Sequence, residues 1–235
     1  DQKNKMQLER LIAEVWHTDE IRTERPKPQD EAIWGYAVIE HSFWHAIPKL
    51  WEGLDVILKQ YTGESLPIEF SPITISSWMG GDRDGNPFVT AEVTKRVILL
   101  SRWEAAKLYE KSMTKLIRSY SMEKCSKKIL KTTGKTFEPY RVYLRPLRDK
   151  LRKTHRAIEG YLTNNKSLND KDLLSEREEI LKPLRVVRES LEQNQSENIA
   201  SGDLLDLMRR AKCFGINPVS YTHLRAHETV LDLVC

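Results

Sequence analysis

An eight-residue run in the first half of the chain limits most strongly what the chain can fold into. Residues 80–87 read Gly-Gly-Asp-Arg-Asp-Gly-Asn-Pro. Three glycines, an asparagine and a proline in eight positions exclude a regular helix or strand and require an exposed, tightly turned loop. Immediately before it, residues 73–78 alternate isoleucine with hydroxylated residues, which predicts one short strand that leads into the loop. No other segment has a clear strand pattern.

Apolar residues elsewhere recur at helical spacing. They predict helices over residues 6–15, from about residue 28 to 58, from Thr90 to about residue 116, and from Pro139 onward through Leu144, Leu147, Leu151 and Ile158. Pro48 is expected to kink or divide the second of these helices, and Pro146 to bend the fourth. Residues 119–136 are rich in lysine and weakly periodic, so we expect a loose, solvated connection there.

Two further helices are predicted in the last third of the chain. Ser175 and Glu178 have the spacing of a capping box, which predicts a helix start. Ser201 or Asp203 opens a last helix, and Gly215 can close it because glycine tolerates the left-handed conformation at a helix end. The fold class expected from residues alone is therefore mostly α-helical.

Composition narrows the class of protein. Of the 235 residues, 31% are charged and 40% hydrophobic, a balance typical of an ordered globular chain. The net charge of +4 comes from interleaved basic and acidic residues and is too small to indicate a nucleic-acid or membrane partner. Three cysteines without CxxC spacing fit a reducing cytoplasm. The N-terminus has neither an initiator methionine nor a signal peptide, so we expect the chain to start in mid-gene.

The glycine-rich loop has two interpretations on its own residues. Its backbone N–H groups, with Arg83, can bind an anion or approach a ligand closely. Alternatively, the glycines and aspartates only build a turn, and Arg83 pairs with an aspartate of the loop. A calcium loop is excluded, because the sixth position is Pro87 where glycine is needed and the twelfth is Val93 where glutamate is needed.

Other chemically suggestive residues have plainer interpretations. His41 and His45 lie four residues apart but lack the glutamate of a zinc protease motif, so packed or solvent-facing histidines are favoured. Asp19 and Glu20 are adjacent and would point about 100° apart on a helix, which favours capping or ion pairing over acid–base catalysis. Three tryptophans at helical spacing are interpreted as core residues. They are Trp34, Trp44 and Trp51.

A set of motifs occurring in one order carries more information than any single residue. They are WHTDEIR at 16–22, PQDE at 28–31, SSWMGGDRDGNP at 76–87, EPYR at 138–141 with LRDKL at 147–151, and GDLLD at 202–206 before CFG at 213–215. In order and spacing they resemble the phosphoenolpyruvate carboxylase family. The resemblance covers residues 1 to about 217, and the twelve-residue string is far more specific than a lone glycine pattern.

The resemblance implies a fold and an activity. The fold would be a mostly α-helical fragment of a (β/α)8-barrel enzyme, with residues 73–78 as one short barrel strand and the glycine loop at the catalytic end. The activity would be that of a lyase, which forms oxaloacetate and phosphate from phosphoenolpyruvate and bicarbonate and so feeds the tricarboxylic acid cycle. The complete enzyme would use Mg²⁺ or Mn²⁺, act in the cytoplasm as a homo-oligomer, and bind neither membrane nor nucleic acid.

The resemblance also implies roles for particular residues. Trp78 would line the apolar pocket that retains CO₂, and the loop would shape the site around the substrates. The loop residues are Gly80, Gly81, Asp82, Arg83, Asp84, Gly85 and Asn86. Arg22 and Arg141 match positions that bind a phosphorylated activator in some family members, so they are candidates for an allosteric site.

The same resemblance implies that important parts are absent. The family's TAHPT motif, whose histidine is catalytic, would precede Asp1. The metal-binding carboxylates, the phosphate-binding arginines and a mobile glycine-rich loop would follow Asn217. No metal ligand is therefore assigned within this chain, and the isolated fragment is expected to be inactive.

The last residues are interpreted separately. Residues 218–229, PVSYTHLRAHET, resemble the translation of a transposon-based sequencing adapter, and the six residues that follow share this interpretation. We therefore expect one partial domain over residues 1–217 and a non-native tail over residues 218–235. His223 and His227 have the spacing of two zinc ligands on a helix, but the adapter interpretation is favoured over a metal site.

A non-enzymatic helical module is the competing hypothesis. Four arginines of the predicted fourth helix, with the lysine-rich residues 124–135, could bind nucleic acid or another acidic partner. These arginines are Arg141, Arg145, Arg148 and Arg152. A solvated or internally paired helix face is the favoured account of the same stripe.

Overall fold

The computed structural model describes residues 2–18, 26–67, 70–82, 85–169, 173–217 and 220–221. These residues are mostly helical. The helices are α1 (Gln2–Trp16), α2 (Pro28–Val38), a π-helical segment (Ile39–Phe43), α3 (Trp44–Thr62), α4 (Ala91–Ser119), α5 (Lys127–Thr133), α6 (Pro139–Asn164), α7 (Glu178–Gln193), α8 (Glu197–Ala200) and α9 (Asp203–Phe214). Two short strands, β1 (Ser76–Ser77) and β2 (Ser220–Tyr221), pair in parallel.

The core is centred on α4 and α6, which share the most extensive contact between two helices in the described chain. The predicted apolar face of α6 is confirmed, because Tyr140, Leu144, Leu147, Leu151 and Ile158 are all buried. Side chains of α4 such as Leu108, Met113 and Leu116 are buried in the same cluster, together with residues of α7 and α9. Each fully buried aliphatic side chain stabilises the fold by about 1.5–3 kcal/mol relative to an exposed one.

The strand predicted over residues 73–78 is shorter than expected. Only Ser76 and Ser77 pair, and their partners are Ser220 and Tyr221. A strand extends only as far as a neighbour supplies backbone partners, and the two residues of β2 set that limit. Upstream, Ile73 and Ile75 pack against the main core, and the Ile73 carbonyl lies 3.5 Å from the Cys213 thiol.

Among the described residues up to 217, β1 is the single strand, as predicted. The second strand, β2, lies within residues 218–235, the predicted non-native tail. Two short strands do not by themselves form a barrel, so the described residues support a mostly helical fold with a small parallel pair.

The helix through Pro48 is not divided at that proline. Pro48 lies inside α3, and the irregularity comes earlier, in the π-helical segment, where the Trp44 N–H donates to the Ile39 carbonyl. Because proline has no N–H, the Trp44 carbonyl four residues back lacks its helical donor. Arg210 of α9 replaces it, with Nε donating to that carbonyl at 2.8 Å. Its guanidinium also lies 5.3 Å from the centre of the Trp44 ring.

The lysine-rich connection after α4 is not loose throughout. It contains α5, where the Ser126 hydroxyl caps the helix and Ile129 is completely buried. The Ser126 backbone N–H also donates to the Ser190 hydroxyl of α7 at 2.7 Å. One buried isoleucine and a serine cap are sufficient to dock a short helix whose other residues are polar except for the exposed Leu130, a pattern too brief for periodicity to indicate.

The predicted helix ends differ from the observed ones by up to about four residues. Thr90 caps α4, accepting from the Val93 N–H at 3.3 Å, and Gly215 ends α9 with φ of +60°. The cap of α9 is Gly202 rather than Ser201 or Asp203. Pro146 lies inside α6, which continues through it.

The tryptophans of the second helical region differ in environment. Trp44 and Trp51 are buried, as predicted, whereas Trp34 is 45% exposed. Helix α1 has its predicted helical form, but its apolar residues are exposed, including Leu11 and Ile12. Periodicity therefore identified the helix without identifying a partner that covers its face.

The start of α7 depends on one carboxylate. The capping contact predicted for Glu178 is made by Glu179, which accepts from the Ser175 N–H at 2.8 Å, the Ser175 hydroxyl at 2.9 Å and the Glu176 N–H at 3.2 Å. Lys150 of α6 pairs with the same carboxylate. Burial raises the pKa of Glu179, but the hydrogen bonds from Lys150, Ser175 and Glu176 outweigh burial and lower the pKa to about 2.

We predict that Glu179→Gln makes the fold less stable at neutral pH and less sensitive to acid. The folded-state pKa lies below the unfolded value of about 4.3, so the carboxylate stabilises the fold fully above that pH. This stability is lost as the pH falls towards 2. The free energy of unfolding, measured by urea denaturation from pH 7 to pH 2, should fall by about 1–2 kcal/mol at pH 7 and change less with pH below 4.5. Glu176→Gln, at an exposed neighbour, is the control, and equal effects of the two substitutions would contradict the prediction.

Candidate functional site

The candidate site begins where β1 ends. The Trp78 carbonyl accepts from the backbone N–H groups of both Gly81 (3.0 Å) and Asp82 (2.9 Å), which closes a tight turn directly after the strand. Gly80 has φ of +70° and Gly85 has φ of +78°, a conformation that residues with a Cβ rarely adopt. The prediction of a tightly turned loop is confirmed for the part that the structure describes.

Helix α4 holds the first half of the loop. A Cβ on Gly80 would lie 2.7 Å from Val97 Cγ2, so only glycine allows the chain to lie this close to the helix. The Thr94 hydroxyl donates to the Gly80 carbonyl at 2.6 Å, and Thr94 is only 1% exposed. The loop is therefore fixed to α4 by both a close backbone approach and a buried hydrogen bond.

Helix α2 holds the same part of the loop from another side. Met79 lies against Gly35, where an added Cβ would be 2.3 Å from the methionine methyl group. The next residue of α2, Tyr36, is buried and its hydroxyl donates to the Val97 carbonyl at 3.2 Å. Residues 79 and 80 are thus enclosed between two helices that are bonded to each other.

The far end of the loop leads directly into α4. The Asn86 side-chain oxygen accepts from the Phe88 N–H at 3.0 Å, and the Asn86 carbonyl accepts from the Val89 N–H at 3.3 Å. Thr90 then caps the helix. These local bonds are the ones expected of an asparagine turn before a helix start.

The predicted site residues differ widely in exposure. Trp78 is 63% exposed, although the residues on either side of it are fixed. Gly80 and Gly81 are buried, Asp82 is half-buried, and Gly85 and Asn86 are exposed. Arg83 and Asp84 lie outside the described residues, so anion binding by Arg83 and the place of Asp84 in the active-site loop stay predictions. The geometry brings one large aromatic ring to the surface beside a rigid turn.

A second exposed aromatic side chain lies at the opposite end of the loop. Phe88 is 71% exposed. Two exposed aromatic rings therefore border the glycine loop, and each leaves a large apolar area unburied. The arrangement can provide apolar walls for a small ligand.

Arg141, the described candidate for an allosteric site, caps another helix. Its Nε donates to the Ile117 carbonyl at 2.8 Å and its Nη2 to the Arg118 carbonyl at 2.6 Å, both in the last turn of α4. Its Nη1 pairs with Glu138. These contacts satisfy carbonyls that have no partner within the helix. Arg22, the other candidate, lies outside the described residues.

The rest of the arginine stripe on α6 is largely paired within the chain. Arg148 contacts Asp149 at 2.7 Å, and Arg152 contacts Glu110 of α4 at 2.6 Å. The favoured account, an internally paired face, agrees with these contacts. A stripe whose charges are neutralised by neighbouring carboxylates is a poor surface for nucleic acid, which argues against the non-enzymatic module.

His41 and His45 border a groove of about 1070 Å³ between the π-helical segment, α3, α4, α6 and α9. Beside them, Lys107 of α4 lies 3.5 Å from Glu40 and 3.0 Å from Glu104. Burial is the main cause that raises the pKa of Glu104, and Lys107 opposes it. This ion cluster joins the π-helical segment to α4. Asp19 and Glu20, the other carboxylates considered above, lie outside the described residues.

Within the part of the chain that the structure describes, no three His, Cys, Asp or Glu side chains converge where they could hold a metal ion. The described residues therefore do not fit a Mg²⁺ or Mn²⁺ site.

Thr94, Val97 and Gly35 are the site residues that sequence reasoning missed. Thr94 and Val97 belong to an ordinary helical pattern, and Gly35 is an isolated glycine in a predicted helix. Such a glycine can indicate close packing, and this was the one available signal. The contacts themselves join segments far apart in the chain.

Comparison with known proteins identifies the family. The family model described as phosphoenolpyruvate carboxylase matches residues 1–232. This match runs into residues 218–232, so the tail boundary at 217 stays a prediction. Proteins named phosphoenolpyruvate carboxylase from Psychromonas ingrahamii and Pseudomonas putida are 46% and 47% identical to this chain over 211 and 215 residues.

These alignments cover nearly all of this chain but little of the relatives. The two above cover 89% and 92% of this chain and 24% of each relative. The phosphoenolpyruvate carboxylase of Aliivibrio salmonicida is 46% identical over 222 residues, which is 93% of this chain and 25% of that protein. The chain thus spans about a quarter of the length of the curated relatives it matches. It belongs to the phosphoenolpyruvate carboxylase family.

Proposed function

We propose that this chain is part of an enzyme that forms oxaloacetate and phosphate from phosphoenolpyruvate and bicarbonate. Membership of the family supports this proposal, and one structural observation gives it a site. Trp78 is exposed at the end of β1 while Met79 and Gly80, the next two residues, are held between α2 and α4. A large apolar ring is thereby presented on a rigid base.

In the proposed reaction, bicarbonate attacks the phosphate of phosphoenolpyruvate, giving carboxyphosphate and the enolate of pyruvate. Carboxyphosphate releases phosphate and CO₂, and the enolate carbon then attacks CO₂ to form oxaloacetate. CO₂ is small and apolar, so a dry apolar wall keeps it beside the enolate. Trp78 would provide part of that wall, and the loop would orient it towards the substrates.

Whether water is excluded from the pocket determines whether oxaloacetate or pyruvate is formed. An enolate that loses its CO₂ takes up a proton and becomes pyruvate, so a leaky pocket converts phosphoenolpyruvate to pyruvate and phosphate. The exposed rings of Trp78 and Phe88 border the loop and are the described side chains best suited to exclude water there.

A divalent metal, Mg²⁺ or Mn²⁺, would stabilise the enolate oxygen in the complete enzyme. The described residues offer no donor set for it, so its ligands would come from other parts of the protein. The remaining proposals are that the complete enzyme is a cytoplasmic homo-oligomer and supplies oxaloacetate to the tricarboxylic acid cycle. Among the described helices, none has both the length and the apolar character needed to cross a bilayer.

We predict that Trp78→Ala in the complete enzyme lowers kcat/KM for bicarbonate by about tenfold or more, because the pocket loses a large apolar wall. The ratio of pyruvate to oxaloacetate should rise at the same time. Oxaloacetate is measured with malate dehydrogenase and pyruvate with lactate dehydrogenase, in separate assays. Trp78→Phe, which keeps an aromatic ring, should give intermediate values.

Phe137→Ala is the matched control for Trp78. Phe137 is also an exposed aromatic residue, 82% exposed, but it precedes α6 and is not part of the loop. Its removal should leave both kcat/KM and the product ratio unchanged. A Trp78→Ala enzyme that binds bicarbonate and forms oxaloacetate as the wild type does would contradict the assigned role.

We also predict that the isolated chain, residues 1–217, forms no oxaloacetate from phosphoenolpyruvate and bicarbonate in the presence of Mg²⁺. The physical reason is that its described residues do not assemble a metal site. The coupled malate dehydrogenase assay measures this, with the complete enzyme as positive control. Turnover by the isolated chain above the uncatalysed background would refute the prediction.

We propose that Arg141 is an allosteric residue in addition to its role as a helix cap. A guanidinium has five N–H donors, so its contacts with Ile117, Arg118 and Glu138 do not exhaust its capacity to bind an anion. We predict that Arg141→Lys in the complete enzyme weakens activation by a phosphorylated activator several-fold and also lowers the melting temperature, because a lysine cannot span three acceptors.

The two effects of Arg141→Lys are separable. Lys115→Ala removes an exposed ion pair with Asp203 near the same end of α4 and serves as the control for general changes in charge. If Arg141→Lys lowers the melting temperature but leaves the activator concentration for half-maximal activation unchanged, Arg141 is a helix cap only.

A further inference from the structure

The base of the glycine loop is held by contacts whose role goes beyond closing the turn. The exposed apolar face of α1 has nothing in the described residues to indicate what covers it. The cations of the groove beside His41 are largely paired, as Lys107 is with Glu40 and Glu104. By contrast, the contacts between α4 and the loop are buried, specific and directly adjacent to Trp78.

The Thr94 hydroxyl has two possible acceptors, and its distances to them differ. A threonine inside a helix ordinarily donates to the carbonyl four residues earlier. Here that acceptor is the Thr90 carbonyl at 3.2 Å, whereas the Gly80 carbonyl lies at 2.6 Å. The shorter distance indicates that the hydroxyl proton points to the Gly80 carbonyl. The Thr94 hydroxyl therefore bonds mainly to the loop and less to its own helix.

The acceptor is placed so that its position controls Trp78. Gly80 is two residues after Trp78, and the Trp78 carbonyl is bonded to the N–H groups of Gly81 and Asp82 on the other side of Gly80. A shift of the Gly80 carbonyl therefore rotates the whole turn, including the Cα from which the Trp78 ring extends. Val97 blocks movement of Gly80 towards α4, and the Thr94 hydrogen bond opposes movement away from it.

We propose that Thr94 is a positioning residue for the carboxylation step. Its buried hydroxyl fixes the Gly80 carbonyl, and this sets the direction in which Trp78 faces the substrates. Thr94 touches no substrate itself, since it is 1% exposed beneath the turn. This role rests on the proposed function, in which Trp78 retains CO₂ beside the enolate.

Thr94→Val and Thr94→Ser in the complete enzyme separate the hydroxyl from the rest of the side chain. Valine has nearly the same shape but cannot donate to Gly80, whereas serine keeps the hydroxyl. Thr94→Val should raise the ratio of pyruvate to oxaloacetate and lower kcat/KM for bicarbonate by about fivefold, on the scale of one lost hydrogen bond. Thr94→Ser should stay close to the wild type in both measurements.

Thr154→Val controls for the loss of a buried threonine hydroxyl elsewhere. Thr154 of α6 is 0% exposed, donates to the Lys150 carbonyl and accepts from the Leu174 N–H, both at 2.9 Å. Its substitution should lower the melting temperature at least as much as Thr94→Val does, yet leave the product ratio unchanged. Thr94→Ala tests the same loss of the hydroxyl if Thr94→Val fails to fold.

The outcomes distinguish this proposal from the proposed function. If Trp78→Ala changes the product ratio and neither Thr94→Val nor Thr94→Ala does so, Thr94 is a structural residue only and the positioning role is wrong. An unchanged ratio in Trp78→Ala would overturn the role of the loop and, with it, that of Thr94. A complete wild-type enzyme that forms no oxaloacetate would overturn the proposed function itself.

Discussion

The described structure depends on the burial of α4. This helix has 29 residues, so at 1.5 Å per residue it spans about 43 Å. Val97 near its start, Tyr109 in its middle and Leu116 near its end are all buried. Because packing fixes the helix along its whole length, the loop at its N-terminal end and the Arg141 cap at its C-terminal end share one rigid support.

Buried polar groups on α4 fix its neighbours as well as its own position. Arg102 is buried and donates to the Leu174 carbonyl, and Glu104 pairs with Lys107 against the π-helical segment. A buried carboxylate is costly unless it is paired, and burial accordingly raises the pKa of Glu104. Glu179, whose hydrogen bonds outweigh its burial, has a lowered pKa. The two carboxylates differ in burial as well as in donors, because Glu104 is more deeply buried and lies near Glu40, whereas Glu179 accepts hydrogen bonds from three residues.

The sequence predicted those parts of the fold that depend on local pattern. The apolar face of α6 repeats often enough to identify both the helix and its buried side. Helix α5 was missed because one buried isoleucine makes no period. The effect of Pro48 was misjudged because the donor that replaces its missing N–H is Arg210, on a helix far along the chain. The length of β1 was overestimated because its partner strand, β2, lies far along the chain and supplies only two residues.

In the candidate site, too, local features could be predicted from the sequence and contacts between distant segments could not. The glycine loop was recognisable because a positive φ at Gly80 and Gly85 restricts which residues can occur there. The roles of Thr94 and Gly35 could not be recognised, because each depends on a contact with a residue distant in the sequence. Trp78 illustrates the difference most directly. Trp44 and Trp51 are buried and Trp78 is exposed, and residue type alone does not separate them.

Trp78 is exposed although the backbone that follows it is rigidly held. An exposed tryptophan on a mobile segment would turn to cover its apolar ring, whereas here the following turn is bonded to α4 through Thr94 and closed against α2 through Met79. The fold therefore fixes the backbone beneath an apolar surface that it does not cover. Such an arrangement is stable only because the cost of exposing one ring is small beside the burial that α4 provides, and it leaves that ring available for a ligand or for further polypeptide.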